Sequence, residues 1–339
     1  MLRFVQGKVV SVLVGMMLMG ALTPVMSVVA AEELKLAHFT SPKHPMDRLV
    51  MRPWTQEVGK LSKGSLTIRI HPAGELGKGP RAQYKRAVDG IADITFGLQG
   101  YTSSLFPGTL LVELPGIASD PVAATKMMWN AIGLLQKEYK STKIMALWTN
   151  DQAVLMTRTK PVRTLDDIKG MKIRTPSKLQ GDIIKALGAT PVAMPVTRMY
   201  NALKTGVVDG LMVGPSVIRS FKLGEVVKYY TVGPFAYTAF FLVMNQTAYD
   251  GLSPAHRKII DATTGQALSV KAAGVYQKAG AKSLAGEEKS GRGKVIRLTG
   301  DEEKRWIKAL GNVRRNTVKS LEAKNIPANE ILQAMGAGK

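Results

Sequence analysis

A two-lobed α/β fold is what this sequence predicts, and three observations carry it. Strand-like and helical segments alternate over 33–96, and the same alternation begins again after Trp148. A long stretch rich in Ala, Lys and Gln follows Ser253-Pro254 with no further proline until Pro327. Strand, helix, strand in that order implies parallel pairing through crossover helices. A chain of 339 residues, 45% of them hydrophobic, is long enough for two such lobes with buried cores.

The elements follow in chain order. Arg3 and Lys8 give a positive start, 9–22 is apolar, Thr23-Pro24 breaks the run, and Val29-Ala30-Ala31 sets small residues before Glu32. This is the plan of a cleavable secretory signal peptide over 1–31, so the mature chain is expected in the periplasm. An uncleaved anchor is the competing reading, and Thr23, Pro24 and Ser27 speak against it. Strand 33–39, an amphipathic helix 45–62, the alternating strand 66–70, a helix 80–89 and an apolar strand 91–96 come next. The second series has a short helix 164–168, a strand 172–174, a helix 179–187, a strand at Ala193-Met194, a helix 200–205 and a strand near Leu211. Strand 240–245 carries the chain back to the first lobe. Ser253 caps, and Pro254 opens, one helix over about 253–285. Strand 294–298 precedes a terminal helix whose Asp301-Glu302-Glu303 suits the dipole of its first turn. The expected organisation is lobe I from 32–152 with 243–282, and lobe II from 153–242 with 283–339, the long helix spanning both.

Composition excludes much chemistry. There is no cysteine, hence no disulfide, thiolate metal site or cysteine nucleophile. No G-x-S-x-G elbow, H-E-x-x-H helix or Walker loop occurs, and the glycines Gly74, Gly77 and Gly79 do not have dinucleotide spacing. His38, His44, His71 and His256 are scattered without metal-ligand spacing and read as structural or surface residues, so neither metal nor cofactor is expected. The net charge of +22 is spread along the chain without an arginine-rich block, which favours a surface that attracts small anions over one that binds nucleic acid.

One segment is far more specific. K-P-V-R-T-L-D-D-I-K-G-M-K-I-R-T-P-S over 160–177 is followed by A-L-G-A-T-P-V over 186–192 and Y-N-A-L-K-T-G-V-V-D-G over 200–210. His71-Pro72-Ala73-Gly74-Glu75-Leu76-Gly77, the block from Gly100-Tyr101 through Phe106-Pro107 to Leu114-Pro115, and Phe241-Leu242-Val243-Met244-Asn245 stand in the same order along the chain. Together they resemble the solute-binding proteins of the tripartite ATP-independent periplasmic (TRAP) transporters, over essentially the whole mature chain.

The resemblance implies a two-lobed periplasmic binding protein that closes on an organic anion and delivers it to the membrane permease subunits of the transporter. In that family the arginine of K-I-R-x-P pairs with the substrate carboxylate, and Arg174 occupies its place. A planar guanidinium with a fork of donors matches a carboxylate bidentately, and a strand end is where open α/β sheets bind ligands. Where sialic-acid-binding members carry a second arginine this chain has Ala153, and after V-D-G it has Leu211-Met212-Val213-Gly214-Pro215 in place of acidic and amide residues. The blocks Ala92-Asp93-Ile94, Gly100-Tyr101 and 222–229 look like the subgroup that carries aromatic or hydrophobic carboxylates. An apolar monocarboxylate is therefore expected, with a sugar acid or dicarboxylate as the alternative.

Position adds further ligand-binding candidates. Phe39 and Phe96 end strands, Tyr101 follows a glycine in the next loop, and Asn150 precedes the lobe crossing. Leu211 and Met212 belong to the strand after V-D-G, and Tyr237 lies before the returning strand. Core or hinge packing is the competing reading for each. An exported enzyme using a carboxylate pair such as Asp93 and Asp209 is the competing class, although Ala-Asp-Ile and Val-Asp-Gly suit matching turn or cap roles.

Overall fold

The computed structural model describes Met1, Leu2 and residues 31–337. The expected signal peptide therefore lies, apart from its ends, outside the described residues. Residues 31 onward form one compact unit with two sheets.

The first sheet takes β1 (Glu32–Ala37), β2 (Leu66–His71), β3 (Ile94–Leu98), β4 (Thr142–Thr149) and β10 (Ala239–Asn245), in the order β2-β1-β3-β10-β4. The second takes β5 (Val154–Thr157), β6 (Lys172–Thr175), β7 (Thr190–Ala193), β8 (Gly210–Val213), β9 (Tyr229–Val232) and β11 (Lys294–Arg297), in the order β11-β9-β5-β8-β6-β7. In each sheet the crossover strands pair in parallel, β1 with β2 and β3, β6 with β7 and β8. One strand per sheet runs the other way, β10 between β3 and β4 and β5 between β8 and β9. These two strands adjoin the chain crossings at 150–153 and 233–238. The crossings bond to one another: the Asn150 N–H donates to Thr238 O at 3.0 Å and the Ala153 N–H to Ala236 O at 3.0 Å. The carboxyl ends of β1, β3, β6 and β8 thereby converge on one region beside the crossings.

The chain after Ser253 departs from the single helix expected over 253–285. Helix Pro254–Thr263 stops, and a second helix of 25 residues runs Gln266–Ser290. Gly265 sits between them at φ 82°, a conformation that favours glycine, and its N–H donates to Met145 O of β4 at 2.6 Å. That tie to the sheet edge is the reason for the break. The long helix packs on the Pro121–Asn130 helix and β4 of the first sheet and also meets β11 of the second. Gly280 permits its closest approach, since a Cβ there would lie 2.2 Å from the buried Asp151 carboxylate. Two smaller expectations also shift. Residues 164–168 form turns and no helix, and the third strand runs Ile94–Leu98 in place of 91–96.

An aromatic stack faces the convergence region from the first sheet. Phe96 of β3 lies 5.4 Å from Phe39, 5.6 Å from Trp148 and 5.6 Å from Phe240, with planes within 12° in each case. Parallel offset rings of this kind bury a large apolar area on a stiff frame.

Candidate ligand-binding site

Arg174 belongs to β6, in register with Val192 of β7 and Leu211 of β8, and is only 1% exposed. Its Nε donates to Met194 O at 2.9 Å, and the Tyr101 hydroxyl lies close enough to interact with its charge. Among the described residues no carboxylate pairs with it, and burial holds its pKa below the ordinary arginine value. A guanidinium taken out of water without an anion costs several kcal/mol, because little compensates its lost hydration. The Tyr101 hydroxyl accepts the Val196 N–H at 2.8 Å, tying the short helix after β3 to the chain beyond β7. Burial raises the Tyr101 pKa while Arg174 opposes the shift, so a neutral phenol faces the guanidinium.

A narrow cavity of about 30 Å³ lies beside this pair. It brings together four of the residues singled out in the sequence: Phe39, Tyr101, Asn150 and Arg174. Asn150 is fixed by the crossing, its Oδ1 accepting the Thr238 N–H at 2.8 Å. The four others do not reach the cavity. Phe96 is fully buried beneath Phe39 in the aromatic stack. Leu211 and Met212 are fully buried inside β8, and it is Val213, one residue nearer the strand end, that lines the wall. Met212 points to the opposite face of the sheet from Leu211 and Val213, as strand alternation requires. Tyr237 directs its hydroxyl to Ala118 O at 3.4 Å and packs with the other core cluster.

Residues that the sequence did not single out complete the wall. Phe240, Phe221 and Tyr276 bring aromatic rings from β10, from the loop after β8 and from the long helix, and His44 enters from the loop after β1. The apolar character of 240–245 was readable, but nothing local marks His44, Phe221 or Tyr276, which meet only through the fold.

Two buried carboxylates brace the region. Glu113 accepts the Ser177 hydroxyl at 2.5 Å and the Ala239 N–H at 3.1 Å, and burial raises its pKa to about 7. Ser177 also caps the helix Lys178–Ala186, so Glu113 holds the segment directly after Arg174 to the start of β10. Asp151 accepts the Ser216 N–H at 2.8 Å and the Ser216 hydroxyl at 2.5 Å, and burial raises its pKa to about 7 as well. Neither carboxylate lines the cavity.

The aspartates considered as a catalytic pair have matching structural roles. Asp93 Oδ2 accepts the Lys35 N–H at 2.7 Å in the first sheet, and Asp209 Oδ2 accepts the Lys172 N–H at 2.7 Å in the second. A wider groove of about 740 Å³ runs along the Lys178–Ala186 helix and 312–326, but among the described residues no buried unpaired charge faces it. Among the described residues no group of three or more His, Cys, Asp or Glu is placed to hold a metal. No helix of the described residues is long and apolar enough to cross a membrane.

Comparison with known proteins adds to this geometry. Residues 36–320 match the model of the family described as bacterial extracellular solute-binding protein, family 7. The 2,3-diketo-L-gulonate-binding periplasmic protein of Escherichia coli K12 is 27% identical over 319 residues, which are 91% of this chain and 93% of that protein. Among solved structures, a TRAP solute-binding protein from Rhodoferax ferrireducens T118, in complex with copurified benzoate, superposes with a TM-score of 0.86. It is 26% identical, covering 89% of this chain and 96% of its own. A marine-metagenome TRAP solute-binding protein specific for aromatic acid ligands, crystallised with 3-hydroxybenzoate, gives a TM-score of 0.86 at 27% identity, over 90% of this chain and 97% of that one.

Proposed function

We infer from the site that this chain, which belongs to the bacterial extracellular solute-binding proteins of family 7, holds its ligand's carboxylate on Arg174. It is the solute-binding component of a TRAP transporter, which binds a small carboxylate and delivers it to the membrane permease. The observation that carries the Arg174 assignment is a fully buried guanidinium with no acidic partner among the described residues, beside a cavity walled by aromatic rings. A ligand carboxylate supplies the missing anion and converts an unfavourable buried charge into a hydrogen-bonded pair.

The ligand body is an apolar or aromatic monocarboxylate. Several polar atoms of the wall are already engaged, Thr40 Oγ1 with His38, Asn150 Oδ1 with the Thr238 N–H and the Tyr101 hydroxyl with the Val196 N–H, which leaves the Asn150 amide N–H group as a neutral side-chain donor. Few donors remain for the hydroxyls of a sugar acid. The benzoate and 3-hydroxybenzoate complexes of the two structural relatives support this class. The relative that binds 2,3-diketo-L-gulonate favours a sugar acid as the second reading. The protein acts by binding alone, without catalysis, in the periplasm after removal of the leader over 1–31.

A thermal-shift series on residues 32–339 tests the ligand class. Benzoate at 100 times its dissociation constant should add about 2.7 kcal/mol to the apparent stability. A melting curve unmoved by any aromatic acid, but raised by a sugar acid, would reverse the order of the two readings.

A further inference from the structure

His44 has an ordinary place in the sequence, just before Pro45 at the start of a helical segment. In the fold it is 1% exposed and lines the same cavity as Arg174. Its ring stands edge-on to Phe221 at 6.4 Å and to Tyr276 at 5.9 Å. Arg174 has different surroundings, its Nε donating to Met194 O with the Tyr101 hydroxyl nearby. His44 and Arg174 thus enter one aromatic-walled cavity from separate surroundings.

The hydrogen on the imidazole can be placed. Nδ1 accepts the Met46 N–H at 3.2 Å, so in the neutral ring the proton sits on Nε2. Burial and the adjacent His38 push the His44 pKa down to about 3, against the pull of Asp47, so the ring is neutral at physiological pH. Among the described residues Nε2 has no protein acceptor, its only hydrogen bond being at Nδ1. A donor without a protein partner on the wall of a cavity gains a hydrogen bond when a ligand brings an acceptor to it.

We propose that His44 is a specificity-determining residue whose Nε2–H donates to a second oxygen, a phenol hydroxyl or ketone, on the body of an aromatic acid held by Arg174. The inference rests on the carboxylate reading above and narrows it. A neutral N–H rewards an uncharged acceptor but does not balance a second full negative charge. Among the described residues Arg174 is the one cation of the cavity wall, so a dicarboxylate leaves its second group unmatched. The favoured class is a hydroxylated or keto aromatic monocarboxylate.

Calorimetry with benzoate, the three monohydroxybenzoates, isophthalate and terephthalate tests this on the wild-type protein and on His44→Phe. At least one hydroxybenzoate should bind wild type tenfold or more tighter than benzoate, and both dicarboxylates should bind at least tenfold weaker than that hydroxy acid. In His44→Phe, which keeps a ring against Phe221 and Tyr276 but has no N–H, the hydroxyl preference should shrink to within about threefold. His44→Gln, which can place an amide N–H near the same point, should retain most of it. Benzoate binding with no preference for any hydroxy isomer overturns the proposal while leaving the Arg174 clamp standing, and so does a preference that survives in His44→Phe. Failure of every aromatic acid to bind overturns the ligand reading together with it. The wild-type series can refute the role of His44 even if a variant does not fold.

Discussion

Replacing Arg174 by alanine should weaken binding of an aromatic carboxylate by a factor of about thirty to several thousand. Truncating one partner of a buried, hydrogen-bonded charge pair costs about 2–5 kcal/mol, much of it because the other charge stays buried and unpaired. Arg174→Lys should also bind poorly, since a single ammonium cannot reproduce the planar fork that matches both oxygens. The unliganded variant should melt close to wild type. Among the described residues the guanidinium has no anionic partner and its one backbone bond is to Met194 O, so its removal relieves a desolvation cost as it loses that bond. Calorimetry paired with thermal melts checks both halves. A folded Arg174→Ala with undiminished affinity would sink the assignment, and a variant that no longer folds would mark Arg174 as a structural residue.

The second large effect is selectivity between ligand bodies. Benzoate or phenylacetate should bind at least a hundredfold tighter than galactonate, a difference of about 2.7 kcal/mol. Burial of roughly 100 Å² of ring against Phe39, Phe240 and Tyr276 contributes about 2.5 kcal/mol. Each hydroxyl of the sugar acid that loses water without gaining a partner costs about 1–3 kcal/mol. Thr40 Oγ1, Asn150 Oδ1 and the Tyr101 hydroxyl already have protein partners, and the Asn150 amide N–H group alone cannot match the several hydroxyls of a sugar acid. Direct titration of both ligands decides between the readings: comparable affinities would mean that the wall rearranges to offer polar groups, and the sugar-acid reading would take precedence.

Much of this architecture was legible in the sequence because its signals are local. Alternation in 66–70, the Ser253-Pro254 cap and the acidic turn at Asp301-Glu302-Glu303 each depend on a few neighbouring residues. Arg174 was singled out through its motif, and the fold places it buried at the cavity, which a surface arginine on a strand edge would not be. The break at Gly265 had a local sign in Thr263-Thr264-Gly265, but what enforces it is a bond to Met145 far away in the chain. Residues joined only by the fold gave no sign. Glu113 and Ser177 are 64 positions apart, and His44 meets Phe221 and Tyr276 only once both sheets and the long helix are in place. Leu211 and Met212 illustrate a smaller limit. The right strand was named, but which of its residues reaches the cavity depends on where β8 ends, and that residue is Val213.

The central claim is that a buried, unpaired guanidinium is completed by the ligand's negative charge. The most direct measurement is a calorimetric titration of the wild-type protein with benzoate and with benzamide, two ligands of nearly identical shape that differ in charge. The account predicts that benzoate binds at least a hundredfold tighter, because only the carboxylate supplies the anion that Arg174 lacks. Equal affinities for the acid and its neutral amide would contradict it.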